Sequence, residues 1–396
     1  MSEYRFNDEI VCKTDDQFEA LLSDFYEKNL RPLCLCRPPG VAMYIAKAYG
    51  KHIIKRLPDG GYDHSPNCES YEPPAELSGL GELLGNAISE NQEDGVTSLK
   101  LDFSLTKISG RAAPIPSDVT PSSVTSKGTK LSLRATLHYL WEQAAFNRWS
   151  PAMTSKRNWY VIRKHLLQVA SNNQTKGASL ERSLFIPENF VLEHKSDIEQ
   201  RRAAHLHCVM PAAGKTTKLM LLVAELKNIS ESRYGFKLSF KHLPDFPFMM
   251  TEDLHKKFTK HFSIELELWD GREDTHLMVI CSFHLNASGF ANIVEIAAMI
   301  VSPQWIPLEN NFDYELISRS VASNRKFVKT LRYNLPSTKP IACAVLTDTA
   351  TPCALYIHSP TMSESTFASM SNLINESKLA SWVWHASSEV IPELPT

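Results

Sequence analysis

Long hydrophobic runs are missing from this 396-residue chain. The longest apolar stretch, Ile293 to Val301, is interrupted by Glu295 and falls well short of the ~18 residues that mark a membrane span. A membrane partner is therefore not expected. Cysteine is scarce too, with 8 residues in the chain, too few for a disulfide scaffold. Nor is there an excess of charge of one sign. Lys and Arg number 42 against 44 Asp and Glu, a net charge of -2, so any attraction for nucleic acid or an anionic surface has to come from a local patch. Residues 1–9 carry charges of both signs where a secretory signal would hold an apolar core, which together with the sparse cysteines points to a reducing cytoplasm.

Complete catalytic motifs are also lacking. No G-x-S-x-G or H-E-x-x-H occurs, so no enzyme class is supported. Residues 213–217 (AGKTT) end like a phosphate loop, but Val209 stands where that loop needs glycine, and Leu219 to Leu226 reads as a strand instead of the required helix.

The balance of 43% hydrophobic and 22% charged residues is that of a globular protein, and the length exceeds the ~250–300 residues of a single core. The pattern predicts an α+β protein. A strand is expected over Tyr4 to Val11 and a helix from Thr14, then a hairpin of Val41 to Ala48 and Ile53 to Leu57 around Gly50. Residues 73–98, rich in Pro, Gly and Glu, read as a connection to a strand at Leu99 to Ile108. Residues 111–128 (RAAPIPSDVTPSSVTSKG) read as a linker. Helices follow near 131–144 and Asn158 to Ala170, and with the extended Leu184 to Phe190 they suggest a winged-helix-like unit. Another helix is expected around Asp197 to Cys208. Beyond it lie strands at Leu219 to Leu226, Gly235 to His242, His276 to Leu285, Ile293 to Val301, Ile341 to Thr347 and Ala354 to His358. Helices interrupt them near Glu252 to Phe262, Phe312 to Val321 and Glu364 to Glu376. The expected divisions are a zinc-ribbon-like module with its connecting strand (1–110), the linker (111–128), a basic helical segment (129–212) and a mixed, largely antiparallel α+β domain (213–396).

Four residues have the chemistry of a metal site. Cys34-x-Cys36 and His64-x-x-x-Cys68 border the hairpin and supply the number and type of ligands that fill tetrahedral Zn²⁺; a closed shell of this kind is structural. The C-x-C spacing is tighter than the commoner C-x2-C, and Cys12 is a possible substitute ligand.

Between residues 126 and 170 the cations Lys127, Lys130, Arg134, Arg148, Lys156, Arg157, Arg163 and Lys164 meet one acidic residue, Glu142, and are interleaved with Trp149 and Trp159. Cations with aromatic faces are what phosphate neutralisation and base stacking require. A second basic cluster holds Arg319, Arg325, Lys326, Lys329 and Arg332 with Phe327 and Tyr333. Glu225-x-Lys227 resembles half of a Mg²⁺-dependent nuclease core and lacks an upstream acidic partner, with Asp197, Asp245 and Glu295 the carboxylates to inspect. His205, His207 and Cys208 diverge if helical.

On the segments CLC (34–36), GLGELLG (79–85), LKLDFSLTK (99–107), LHYLWEQAAFNRW (137–149), LMLLVAELKNI (219–229), RYGFK (233–237) and FVKTLRYN (327–334), the chain resembles a bacterial family known as domain of unknown function 1173. The resemblance implies a bacterial origin and a role around mobile DNA; it supplies no activity and no catalytic residues. The leading expectation is a zinc-stabilised nucleic-acid-binding accessory of mobile-element DNA, DNA favoured over RNA. A nuclease built on Glu225 and Lys227, and a scaffold docking a protein partner through the zinc module, are the alternatives.

Overall fold

The computed structural model describes residues 3–48, 51–92, 95–108, 129–211, 216–387 and 390–396. The linker expected at 111–128 lies outside them. Eight α-helices occur among the described residues, with several largely antiparallel sheets, a mixed α+β architecture. No helix among them is long and apolar enough to cross a membrane.

The chain opens with a five-stranded antiparallel sheet in the order Glu9–Cys12, Glu3–Phe6, Leu33–Cys34, Val41–Ala48, Lys51–Arg56. The single strand expected at 4–11 is a hairpin, because Asn7 adopts the left-handed conformation (φ 53°) that reverses the chain and that Asn tolerates well. Helix α1 (Phe18–Glu27) lays Phe18, Leu22 and Phe25 against this sheet. Asp15 Oδ2 closes the preceding turn by accepting from the Cys12 amide at 2.7 Å.

Residues 77–99 are not a bare connection. Leu80, Leu83, Ala87, Ile88 and Leu99 enter the largest core, and Thr97–Leu99 pairs in parallel with Asn173–Thr175. The sequence has a short apolar pattern at Leu77, Leu80, Leu83, Leu84 and Ile88, but turns and a 3-10 segment, not a helix, carry it into the core.

At the centre five strands close into a ring. The first barrel strand, Met220–Ser232, pairs through Met220–Glu225 with the fourth, His276–Leu285, and through Leu226–Ser232 with the second, Gly235–Phe240. A bulge between Leu226 and Asn228 marks the change of partner. The second strand pairs with the third, Leu243–Met250, and the fourth with the fifth, Ala291–Val301. Phe248↔Ala291 and Met249↔Asn292 join third to fifth in parallel and close the ring. Rings from the second, third and fourth strands meet inside: Phe240 lies 5.2 Å from Phe248, and Phe248 4.8 Å from Phe283. The extended Leu184–Phe185 runs parallel to Leu221 and Leu222, so it extends the barrel sheet and forms no wing.

Helix α2 (Leu133–Gln143) packs on the fourth and fifth strands, with every residue from Leu133 to Trp141 buried. A helix buried on all sides belongs to a core, not to a basic surface. Helix α3 (Trp159–Ser171) pairs with it, its N-cap Asn158 accepting from the Val161 amide at 3.1 Å. Helix α4 (Lys195–Leu206) follows, then α5 (Glu252–His261) and α6 (Ser263–Asp270) between the third and fourth barrel strands. Helices α7 (Asn311–Ala322) and α8 (Glu364–Glu376) accompany a C-terminal sheet ordered Ala380–His385, Cys353–His358, Ala344–Leu346, Phe327–Lys329, Arg148–Trp149.

Gly79 shows how closely these layers approach. Its amide donates to the Leu331 carbonyl at 2.8 Å, and a Cβ built on it would stand 2.0 Å from the Arg332 carbonyl oxygen. Gly79→Ala is expected to lower stability by about 1–3 kcal/mol, read as a shift in the urea midpoint, whereas Gly85→Ala, with open space around it, should show only the cost of its positive φ.

Candidate functional site

The N-terminal sheet builds the candidate metal centre. Leu33–Cys34 is held between Glu3–Phe6 and Val41–Ala48, which fixes Cys34 in a buried row and starts the turn carrying Cys36. Across the hairpin, the 3-10 turn Gly60–Asp63 delivers His64, and Cys68 follows one turn later. The four donor atoms lie within 4.8 Å of one another. Tetrahedral Zn²⁺ bonds of ~2.3 Å to sulfur and ~2.0–2.1 Å to nitrogen require edges of about 3.8 Å between sulfurs and about 3.6 Å between sulfur and nitrogen. Cys34 Sγ stands 3.8 Å from Cys68 Sγ, and His64 Nδ1 stands 3.3 Å from Cys36 Sγ and 3.7 Å from Cys68 Sγ. This cluster could hold a metal ion.

Backbone amides point at two of the sulfurs. The amides of Ser65 and Ser70 donate to Cys36 Sγ and Cys68 Sγ, each at 3.4 Å. A hydrogen bond from Cys34 pulls the Cys68 thiol down to about 3, while Cys34 itself is pushed up. His64 is fully buried with Nε2 unpartnered. Cys12 stands outside the cluster, at the outer strand of the sheet.

The basic residues expected to make one surface are not brought together. Arg134 is buried and donates to the Tyr333 and Leu335 carbonyls at 3.1 and 3.0 Å. Arg157 donates to the carbonyls of Phe146, Gln304, Ala145 and Arg148, and burial pulls its guanidinium down to about 10. Arg148 donates to the Tyr71 carbonyl and Arg163 to that of Ile186. Trp149 and Trp159 are core residues, the indole of Trp159 donating to the Pro187 carbonyl at 2.8 Å. Lys130, Lys156 and Lys164 are exposed. In the second cluster Lys329 is buried 3.2 Å from Asp313, Arg332 pairs with Glu309 and Arg325 with Asp348, with Phe327 and Tyr333 buried beside them. Cations placed this way satisfy carbonyls and carboxylates that would otherwise be buried unpaired.

Glu225 is buried at the barrel bulge. It accepts from Lys241 and from His276 Nδ1, the latter at 2.7 Å, and His276 in turn stacks on Trp305. Burial alone would raise its pKa, but these hydrogen bonds outweigh it and hold the carboxylate below its usual range. Lys227 is exposed and takes no part. Among the described residues, the Cys/His cluster is the one group of three or more His, Cys, Asp or Glu donors close enough to share an ion, so Glu225 belongs to no such group. Asp245 is paired with Lys195. His205 on α4 contacts the Leu184 carbonyl and diverges from His207 and Cys208, as a helix requires.

Two features escaped the sequence. One is a cleft of about 1620 Å³ between the N-terminal module, residues 73–90 and the C-terminal layer. Much of its charge is spent in the pairs Lys13–Glu69, Lys55–Glu90, Arg56–Glu72 and Lys339–Glu82. The other is the outer face of the barrel. Ser230, Lys237, Met249 and Asn292 are successive cross-strand partners on the first, second, third and fifth strands, and therefore share one face. The sequence signal for it, a long strand followed by Arg233-Tyr234 and Gly235, reads as an ordinary hairpin.

Residues 4–387 match the family described as protein of unknown function (DUF1173). No curated protein and no solved structure matches the chain.

Arg157 and its neighbour Lys156 separate brace from surface. Arg157→Ala should cost about 2–4 kcal/mol through the carbonyls it leaves unpaired, and Lys156→Ala should stay within about 0.5 kcal/mol of the parent in denaturant melts. Equal melting of the two variants would show that the carbonyl bonds contribute nothing.

Proposed function

The chain belongs to the DUF1173 family, and for this member of it we propose a zinc-stabilised protein that binds nucleic acid through its closed five-stranded barrel. The observation that carries the reading is the strand order. First, second, third, fifth and fourth strands follow one another around the ring, the fourth returns to the first, and helices α5 and α6 bridge third to fourth. This number of strands and this Greek-key closure match the OB fold, whose second and third strands and flanking loops take oligonucleotides or oligosaccharides.

A fold alone assigns no function, so the face itself has to fit. Lys237 is exposed on that face, with exposed Arg233 in the adjoining turn and exposed Lys227 at the bulge; none of the three makes an ion pair among the described residues, and Asn228, Ser230 and Ser239 add hydrogen-bonding groups to the face. That chemistry suits a phosphate backbone. The DNA preference and the bacterial, mobile-element setting come with the family resemblance, the cytoplasmic setting with the charged N-terminus and sparse cysteines, and all form part of the proposal.

Zinc is the ion this donor set favours, since three thiolates and an imidazole combine soft and borderline ligands in tetrahedral array. Four protein ligands leave no open position, so its role is structural. The small N-terminal core of residues such as Tyr4, Phe6, Leu22 and Met43 has little apolar surface to bury, and an ion joining both sides of the hairpin supplies the missing stability.

Metal analysis of the purified protein should return about one zinc per chain, and Cys36→Ser should release it and abolish cooperative melting of the N-terminal module. A metal-free protein with unchanged melting would remove the zinc. Binding is tested by fluorescence anisotropy against salt: about three phosphate contacts predict a log–log slope near -2 and a roughly 20-fold loss of affinity between about 50 and 200 mM salt. No binding to any nucleic acid at the lower salt would overturn the reading.

A further inference from the structure

We infer that the barrel takes a single strand rather than a duplex, and stacks its bases on Tyr234 and Phe290. The inference rests on the nucleic-acid reading above and adds the form of the ligand and the residues that hold it.

Tyr234 is 80% exposed in the turn between the first and second strands, and Phe290 is 52% exposed in the turn between the fourth and fifth. Isolated exposed aromatics are common on protein surfaces. These two differ in how they are held. Ser232 pairs with Gly235, leaving Arg233 and Tyr234 as a two-residue hairpin turn; Gly235 has φ 124°, and a Cβ there would meet the Met250 carbonyl at 2.4 Å. The Arg233 guanidinium lies 5.2 Å from the Tyr234 ring centre. In the second turn, Asn286 Oδ1 accepts from the amides of Ser288 and Phe290 at 3.0 and 2.9 Å, and the Asn286 amide donates to the Phe290 carbonyl at 2.9 Å. Gly289, at φ 80°, makes the reversal possible. Both rings therefore project from short, internally bonded turns, which limits the entropy lost when a ligand orders them.

Their placement relative to the cross-strand row through Lys237 follows from the register. Phe290 lies two residues before Asn292, and Tyr234 three residues before Lys237, on strands that run in opposite directions in the sheet. The rings thus sit at opposite corners of the face, with the Lys237, Met249 and Asn292 row between them. A single strand crossing from one corner to the other would present bases to each ring and phosphates to Lys237 and Arg233. A duplex hides its base faces in its own stack and offers nothing for the two rings to cover.

The test is fluorescence anisotropy of the full chain with a labelled oligothymidylate of about 15 nucleotides and a duplex of equal length. The single strand should bind at least about 10-fold more tightly. Tyr234→Ala and Phe290→Ala should each weaken it by about 5- to 100-fold without moving the thermal midpoint, and Tyr234→Phe should restore binding. If the oligonucleotide is bound and both alanine variants bind it like the parent, or if the duplex binds as tightly, this inference falls while the nucleic-acid reading survives. If neither ligand binds at low salt, that reading falls and the inference with it.

Discussion

One barrel strand that pairs with two other barrel strands along its length organises this protein. Met220–Ser232 spans about 43 Å when extended, too long and too twisted to serve one neighbour on each edge throughout. The bulge at Leu226/Asn228 bends it, so that its first half pairs with the fourth strand and its second half with the second. Closure then satisfies backbone groups that an open sheet would leave at bare edges. It also gives the barrel two unlike exteriors. The fourth and fifth strands, buried almost throughout, receive α2 and α6, whereas the first and second carry exposed Lys227 and Lys237.

Glu225 sits where that strand changes partner. Its carboxylate joins Lys241, just past the second strand, to His276 at the start of the fourth, the two segments that flank the change. A buried carboxylate is costly unless hydrogen-bonded, and here the bonds come from both sides of the barrel seam. The acidic residue that imitates a nuclease ligand is a brace of the closure.

The same economy governs the arginines. Around α2 and α3 the chain passes through turns and two-residue strands whose carbonyls lack ladder partners, and guanidinium groups, with five donors in a planar fork, can satisfy several at once. Arg157 ties Phe146 and Arg148 to Gln304; Arg134 ties α2 to the segment Tyr333–Leu335. Arg148 reaches the Tyr71 carbonyl three residues beyond Cys68, so the N-terminal module is tied to the main body by a cation that charge counting assigns to a surface.

Much of this was legible in the residues alone. The clustering of Cys34, Cys36, His64 and Cys68 was, because metal-site chemistry is written in residue type and the hairpin between the pairs is a local structure. The limits of α8 and of the strand His276–Leu285 were, because caps and periodicity act within a few residues. The early hairpin at Asn7 and the core role of the residues around Leu80 to Ile88 were not, since one left-handed residue leaves no period and a short apolar pattern broken by Pro and Gly does not show what it packs against. Nor were the ring of strands, the burial of Trp149 and Trp159, or the spending of Arg134 and Arg157 on carbonyls. Arg134 meets Tyr333 across 199 residues and Arg157 meets Gln304 across 147, and the partner of a donor at that separation is chosen by packing, which the tertiary structure alone decides.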